Sequence, residues 1–341
     1  MKIALIFNVR HFKPSLKNKK AIEEAEFDNP ETIKGIADSL KKLGHKVFLI
    51  EANENAYLKL KKLRKKIDFV FNIAEGFGVD REAQIPAILE MLKIPYLGSK
   101  PLTQAICLNK VKTKEILAFH KIPTPKFQLF ENGSEKLKED LKFPLIVKPN
   151  SEGSSKGIFQ NSVVKNEMDL RKKIKEIIKN LNQPALVEEF LNGREFTVSL
   201  IGNNPVEVLP IVEIDFSALP KNFYPMDSYE MKWLIDNPKS KVQTVICPAK
   251  FGRKLEKKIK EICLKTKKVL GILDWCRIDL RLDKKGTPNV LEVNQIPGII
   301  PDPKENSRFP LAARAAGYTY EQMLEKLIKT ALKRYGKKYV V

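Results

Sequence analysis

Three short β-rich runs open the chain, KIALIF at 2–7, KVFLIE at 46–51 and IDFVFNI at 67–73, and helical spacing separates them. That alternation restricts the first third of the sequence to a parallel α/β unit. The first of the intervening helices has a clear start at Asp28-Asn29-Pro30-Glu31, with an Asx cap, Pro in the first turn and an acid beside the exposed amides. Ile33, Ile36, Ala37 and Leu40 follow at core spacing, and Gly44 ends the run. A further helix is expected from Glu82 to Leu92, leading into the loop IPYLGS at 94–99 and a first boundary near residue 109.

Beyond that boundary the pattern becomes that of a small α+β unit. It reads as a helix (LNKVKTKEILAFHK), a Pro-rich strand approach (IPTPKFQLF), the strand PLIVKP at 144–149, a small-residue loop at 150–157 and a helix over 169–181. LVEEF and REFTVSLIG then read as a strand and its hairpin partner, VEVLPIVEI as a buried strand, and 217–248 as a long aromatic-rich connection. A helix over 254–270, the strands WCRIDLRL (275–282) and PNVLEVN (288–294) around a DKKG turn, and a helix over 320–335 complete the chain. At 341 residues, two or three domains are expected, divided as 1–109, 110–187 and 188–341.

Composition narrows the function classes. With 43% hydrophobic residues there is enough apolar material for buried cores, yet no window nears the uninterrupted run of about 18 apolar residues that a membrane helix needs. The start, MKIALIFNVRHFKPS, is too short in apolar residues for a signal peptide, so a cytoplasmic protein is expected. Cys107, Cys247, Cys263 and Cys276 form no CxxC pair and read as reduced thiols. The net charge of +21 would attract polyanions, but the lysines run along helices in mixed patterns such as LEKKIKEICLKTKKVL, the signature of a solvated face. No recognition module accompanies the charge, so neither specific nucleic-acid binding nor a membrane partner is expected.

Arg277, Asp279, Glu292 and Asn294 carry the strongest chemistry. In RID and EVN the members lie two apart, so each pair shares a strand face, and the DKKG turn suggests that the two strands are antiparallel neighbours. Two carboxylates and an amide oxygen are hard ligands suited to Mg2+, and an Arg beside them can hold a phosphoryl group or a developing oxyanion. The same pattern also fits a cross-strand salt bridge on a solvated face. The loop from Lys148 to Gly157, KPNSEGSSKG, has small residues that let amides approach phosphate oxygens, hydroxyl donors and a lysine, although it is no Walker A loop and also fits a flexible connection. Lys110 begins a helix and by itself fits a solvated lysine. In LVEEFLNGRE, Glu188, the Leu191 backbone and Glu195 fit a hinge that reads an adenine edge and ribose hydroxyls, or an ordinary strand and loop.

Taken in order, LEMLKIPYLGS, the NKxxxK helix, PLIVKPNSEGSSKG, LVEEFLNGREFTV, RIDL and LEVNQIPG resemble the ATP-grasp ligases of the D-alanine–D-alanine ligase type, over about residues 66–317. The resemblance implies a three-domain ATP-grasp architecture with an N-terminal Rossmann-like parallel α/β domain, and a homodimer acting on small amino-acid substrates. It implies that Lys110 and Lys148 contact ATP phosphates, that the loop with Ser154 and Ser155 closes over them, and that Glu188, Leu191 and Glu195 hold adenosine. Asp279, Glu292 and Asn294 match the ligands of two Mg2+ ions, with Mn2+ as a substitute. Arg277 matches the arginine on the transferred phosphoryl group and tetrahedral intermediate, and Lys232 a lysine of a mobile loop.

Departures from the family bear on the substrate. A His-Gly and Glu-Asp-Gly motif appears here as NIAEGFGVDREAQ, which puts Asn72, Glu75 and Asp80 where the His and acids are expected. A family Tyr falls at Trp233, its Glu partner at Glu26 or Glu31, and a substrate-binding Ser at Ser307, after an insertion with Pro301 and Pro303. The family Asp before Lys110 is Asn109. The expected activity is an ATP-dependent carboxylate–amine ligation through an acyl phosphate, with D-alanyl-D-alanine as product. The alternatives are a related ligase for another amino acid or a hydroxy acid, and a non-catalytic nucleotide- or nucleic-acid-binding protein.

Overall fold

A computed structural model describes residues 1–13, 15, 18–217, 219–236 and 244–339. The chain begins with strand β1 (Lys2–Phe7), helices α1 (Lys19–Glu23) and α2 (Pro30–Lys42), β2 (Lys46–Glu51), α3 (Ala56–Leu63) and β3 (Phe69–Asn72). The strands form a parallel sheet, as the alternation of runs implies, and the structure gives their order as β2-β1-β3. Asn29 caps α2, its side chain accepting from Thr32 N at 2.6 Å, and Ile33, Ile36, Ala37 and Leu40 are buried beneath it. Helix α4 (Gln84–Leu92) follows a short turn at Arg81–Ala83.

Next comes α5 (Pro101–Leu108), which apolar periodicity did not reveal. It buries Thr103 and Gln104 beside Cys107 and Leu108 while Leu102 is exposed, so its inner face is not an apolar stripe. Helix α6 (Lys110–Phe119), strands β4 (Phe127–Phe130), β5 (Leu145–Pro149) and β6 (Val163–Val164), helix α7 (Glu167–Leu181) and β7 (Ala185–Glu189) follow. The four strands form an antiparallel sheet ordered β4-β7-β5-β6, with Leu170, Ile174 and Ile177 of α7 in its core.

The remaining elements are β8 (Glu195–Ile201), β9 (Glu207–Val208), β10 (Val212–Ile214), a single wide turn of π-helix at Met231–Ile235, β11 (Val245–Ile246), α8 (Arg253–Val269), β12 (Trp275–Leu282), β13 (Pro288–Asn294), α9 (Arg308–Ala315) and α10 (Tyr320–Arg334). The third sheet runs β11-β10-β8-β12-β13, with β9 also paired to β8. The hairpin expected from LVEEF and REFTVSLIG does not form: β7 lies between β4 and β5, while β8 lies between β10 and β12. The crossing between sheets is pinned to the end of β12. Leu282 N donates to Arg194 O at 2.9 Å, and a Cβ on Gly193 would stand 2.4 Å from the Leu282 carbonyl. VEVLPIVEI likewise divides into β9 and β10, because Pro210 between them has no N–H for the ladder.

Helix α10 returns to the start of the chain. Met323, Leu324 and Leu327 share a core with Ile33, Ile36 and Leu40 of α2 and with Leu5 of β1. A buried Asp274 takes Arg334 at 2.8 Å and Gly98 N at 2.9 Å, which fixes this packing. In consequence the carboxyl ends of the parallel strands face the loop at 150–157 and the pair β12–β13, the position where open α/β sheets bind ligands. No helix among the described residues is long and apolar enough to cross a membrane.

Candidate active site

In the antiparallel register of β12 and β13, Arg277 stands opposite Asn294 and Asp279 opposite Glu292. The Arg277 guanidinium grips Asp279 twice, Nε to Oδ1 at 3.0 Å and Nη2 to Oδ2 at 2.9 Å, and Asn294 Nδ2 donates to Asp279 Oδ2 at 3.0 Å. Thr197 of β8 donates to the same carboxylate. Burial works to raise the Asp279 pKa, but Arg277 more than offsets it and holds the group below the usual carboxylate range. Glu292 is the more open acid, 29% exposed, with Lys110 Nζ at 3.5 Å. Among the described residues no cluster of three or more His, Cys, Asp and Glu would hold a metal. The two carboxylates and the Asn294 amide oxygen are hard donors of the kind Mg2+ takes, with the rest of its oxygens from phosphate and water.

One cavity lies between the second and third sheets, lined by Lys148, Ser155, Phe190 and Leu191 on one side and by Asp279 and Glu292 on the other. Lys148 Nζ and Lys114 Nζ meet the buried Glu188 carboxylate at 2.8 and 3.1 Å. Burial would raise the Glu188 pKa, yet the two lysines bring it down, while burial lowers Lys114 to about 8. The Glu188 carboxylate is thus committed to lysines, and Glu189, Phe190 and Leu191 line the cavity beside it. Glu195 faces the same cavity, paired with Arg281 at 3.2 Å and pushed up to about 7 by burial.

A second cavity of about 350 Å³ opens further along the same face of this strand pair, reaching Arg277 and Asn294. The loop at 150–157 is the partition: Ser155 lines the first cavity and Ser154 the second. Both serines adopt left-handed backbone, at φ 59 and 50°. The loop is held from both sides, since Ser155 Oγ donates to Asp227 O at 2.6 Å and Trp233 Nε1 donates to Ser154 O at 3.1 Å. Lys232, Trp233, Glu26, Glu75 and Ser307 all line this second cavity. Ser307 Oγ donates to Gly298 O at 2.9 Å and accepts from Ile300 N at 3.1 Å, which orders the insertion before α9.

The comparisons with known proteins agree with this geometry. The family model described as D-ala D-ala ligase C-terminus matches residues 114–329. The chain belongs to the D-alanine–D-alanine ligase family. A D-alanine--D-alanine ligase of Carboxydothermus hydrogenoformans is 34% identical over 86% of this chain and 90% of its own length. An uncharacterized protein of Sinorhizobium fredii, y4sG, is 36% identical over 88% of each chain. The crystal structure of D-alanine--D-alanine ligase from Bacillus anthracis complexed with ATP superposes with a TM-score of 0.73 at 25% identity, covering 98% of this chain and 99% of that one. The fold is therefore ATP-grasp, and the chain is an ATP-dependent ligase of the class that forms C–N bonds.

Within this D-alanine–D-alanine ligase-like frame, Asp80, Glu31 and Asn72 line neither cavity. Asp80 is exposed, in left-handed backbone at φ 51°, and lines neither cavity. Its backbone turn sends the next side chain, Arg81, inward instead. Of the two candidates Glu26 and Glu31, the first lines the second cavity and the second lies in the exposed first turn of α2. Asn72 is buried in β3, its Oδ1 accepting from Ala74 N at 3.2 Å, and does not line a cavity. Glu75 is pushed well up by burial and by the neighbouring Glu26 and Glu82.

Sequence reasoning missed several groups that the ligase fold brings in. Arg308, which lines the second cavity, pairs at 2.8 Å with Asp227, which lines the first, Arg10 lies 5.3 Å over the Trp233 ring, and Arg81 joins Glu26 and Glu152. Each has its partner at least 55 residues away in the chain, so no local pattern marks it. Gly153 has a similar origin: a Cβ there would stand 2.6 Å from Glu26 Oε1. Gly153→Ala is expected to fold with a somewhat lowered melting temperature and to lose about 10- to 100-fold in kcat, because a shift of about 1 Å in positioned groups costs that much. Equal kcat in the two proteins would show that this close approach has no catalytic weight.

Proposed function

We propose that this ligase joins two D-alanines into D-alanyl-D-alanine in the cytoplasm, through an acyl phosphate, with release of ADP and phosphate. The observation that carries the reading is the β12–β13 pair, which presents Asp279 and Glu292 to the first cavity and Arg277 and Asn294 to the second. A nucleotide in the first cavity, its phosphates at Lys148, Lys110 and the 150–157 loop, points its terminal phosphate at amino acids in the second. The carboxylate oxygen of one D-alanine takes that phosphoryl group as the bond to ADP breaks. The amine of the other, having lost a proton, attacks the acyl carbon, and the C–O bond to phosphate then breaks. Arg277, and Lys232 behind Trp233, neutralise charge that develops on the phosphoryl and acyl oxygens. Two Mg2+ ions, or Mn2+ in their place, would be held by Asp279, Glu292 and Asn294 and would supply charge neutralisation and phosphate orientation. Purified protein with Mg-ATP and a panel of D- and L-amino acids tests the reading by phosphate release and mass spectrometry of products. D-alanine-dependent release with the dipeptide as product supports it; another product, or no amino-acid-dependent release, overturns it.

A second reading, another amino acid or a hydroxy acid as acceptor, is favoured by one specific feature. Trp233 spends its sole side-chain donor on Ser154 O and carries Arg10 over its ring, so this wall of the cavity offers an indole where a phenolic oxygen is expected. If this position selects the acceptor, Trp233→Tyr shifts the preference toward D-alanine in competition assays with paired acceptors. Identical acceptor ratios in the two proteins would place selectivity elsewhere in the cavity.

A further inference from the structure

Arg81 is buried, and its guanidinium reaches three parts of the chain at once. Nη1 donates to Ser151 O at 2.9 Å, while Nη2 joins Glu26 and, at 3.1 Å, Glu152 Oε2. Both carboxylates continue into the loop between the two cavities. Glu26 Oε1 accepts from Gly153 N, and Glu152 takes Lys156 Nζ at 3.0 Å and Gln183 Nε2 at 2.8 Å, while its carbonyl accepts from Lys110 Nζ. Lys110 in turn faces Glu292. A continuous polar chain therefore runs from Glu26, on the wall of the second cavity, through Arg81 to residues 151–153 of the loop and, by way of Lys110, on to Glu292 of β13.

Such a chain moves as a unit. Both oxygens of Glu26 are engaged, one by Arg81 and one by Gly153 N, so the carboxylate cannot turn toward a ligand without moving the loop. Arg81 itself holds Glu26 and Glu152 together with Glu75 and Glu82 nearby, an arrangement that would repel itself without the guanidinium. We propose that Arg81 is a positioning residue that couples the amino-acid cavity to the phosphate loop: closure of the loop on Mg-ATP sets Glu26, and an amino acid at Glu26 sets the loop. Arg81 touches no reacting atom. Reciprocity makes the coupling equal in both directions. The ligase reading enters only in naming the occupant of the second cavity.

Hydrogen exchange on the full chain, with Mg-ATP alone as the probe, tests this. In the wild type, Mg-ATP slows exchange at 150–157 and also at 25–28. In Arg81→Met the loop remains protected, while the protection at 25–28 falls about tenfold toward its ligand-free value, within the usual range of coupling factors. Arg81→Lys restores part of it. A merely structural Arg81 would speed ligand-free exchange in both segments without severing one from the other, and equal transfer in wild type and Arg81→Met overturns the proposal. Should Arg81→Met fail to fold, Glu152→Gln, which keeps the shape and the Gln183 contact, is read by the same two outcomes. A kinetic arm uses D-alanine: saturation with it tightens Mg-ATP in the wild type and leaves the affinity nearly unchanged in Arg81→Met. If D-alanine and the other amino acids give no ADP with the wild type, the ligase reading fails, and the exchange arm still decides the role of Arg81.

Discussion

Glu292→Gln folds like the parent chain and loses more than about 100-fold of its amino-acid-dependent ATP turnover, a loss beyond what changes to groups merely supporting a metal site produce. The substitution nearly keeps volume while one acceptor oxygen becomes an amide donor. What it removes is the negative charge on the more open acid of the β12–β13 face, whose ion-pair partner among the described residues is Lys110 at 3.5 Å. The fold tolerates the change because Glu292 is partly exposed, whereas Asp279 anchors Arg277, Thr197 and Asn294 and its loss would strand a buried guanidinium. Turnover at saturating Mg-ATP, beside a melting curve, checks the result. Near-wild-type turnover would remove Glu292 from the metal site.

Lys148→Met raises the dissociation constant for Mg-ATP about 10- to 150-fold, the equivalent of one charge-assisted phosphate contact of about 1.5 to 3 kcal/mol. Breaking a buried ion pair ordinarily costs about 3 to 5 kcal/mol of stability, because one charge is left uncompensated. Here Glu188 keeps Lys114 at 3.1 Å, so the carboxylate stays paired and the protein is expected to remain folded. Calorimetric titration with Mg-ATP separates the two effects. Unchanged affinity in a folded variant means that Lys148 serves Glu188 and not the nucleotide.

The two predictions draw on different kinds of information. The face that holds Glu292 was readable from RID, EVN and the intervening DKKG turn, since strand alternation puts residues two apart on one side and a short turn makes the strands neighbours. The compensation at Glu188 was not, because Lys114 reads as one more lysine on a helix. The same division explains the hairpin that does not form. LVEEF and REFTVSLIG read as neighbours that could pair, but β7 finds its partners in β4 and β5 and β8 in β10 and β12, with Gly193 packed close against Leu282 where the chain crosses between sheets, and these contacts are long in sequence. Helix α5 escaped notice because it buries Thr103 and Gln104, which periodicity counts as solvent-facing.

By itself the sequence determined the parallel character of the first sheet, the capped start of α2, the β12–β13 face and the ordered motifs of an ATP-grasp ligase. All of these depend on spacing within a few residues or on motif order along the chain. Tertiary structure alone decided which of the expected acids line the second cavity, Glu26 and Glu75 and not Glu31 or Asp80, and which cation holds Glu26. Glu26, Arg81 and Glu152 come from three segments far apart in the sequence. The free energy of such a cluster depends on burial and on the mutual distance of its charges, and both exist only once the fold has set the 150–157 loop against Glu26 and Arg81.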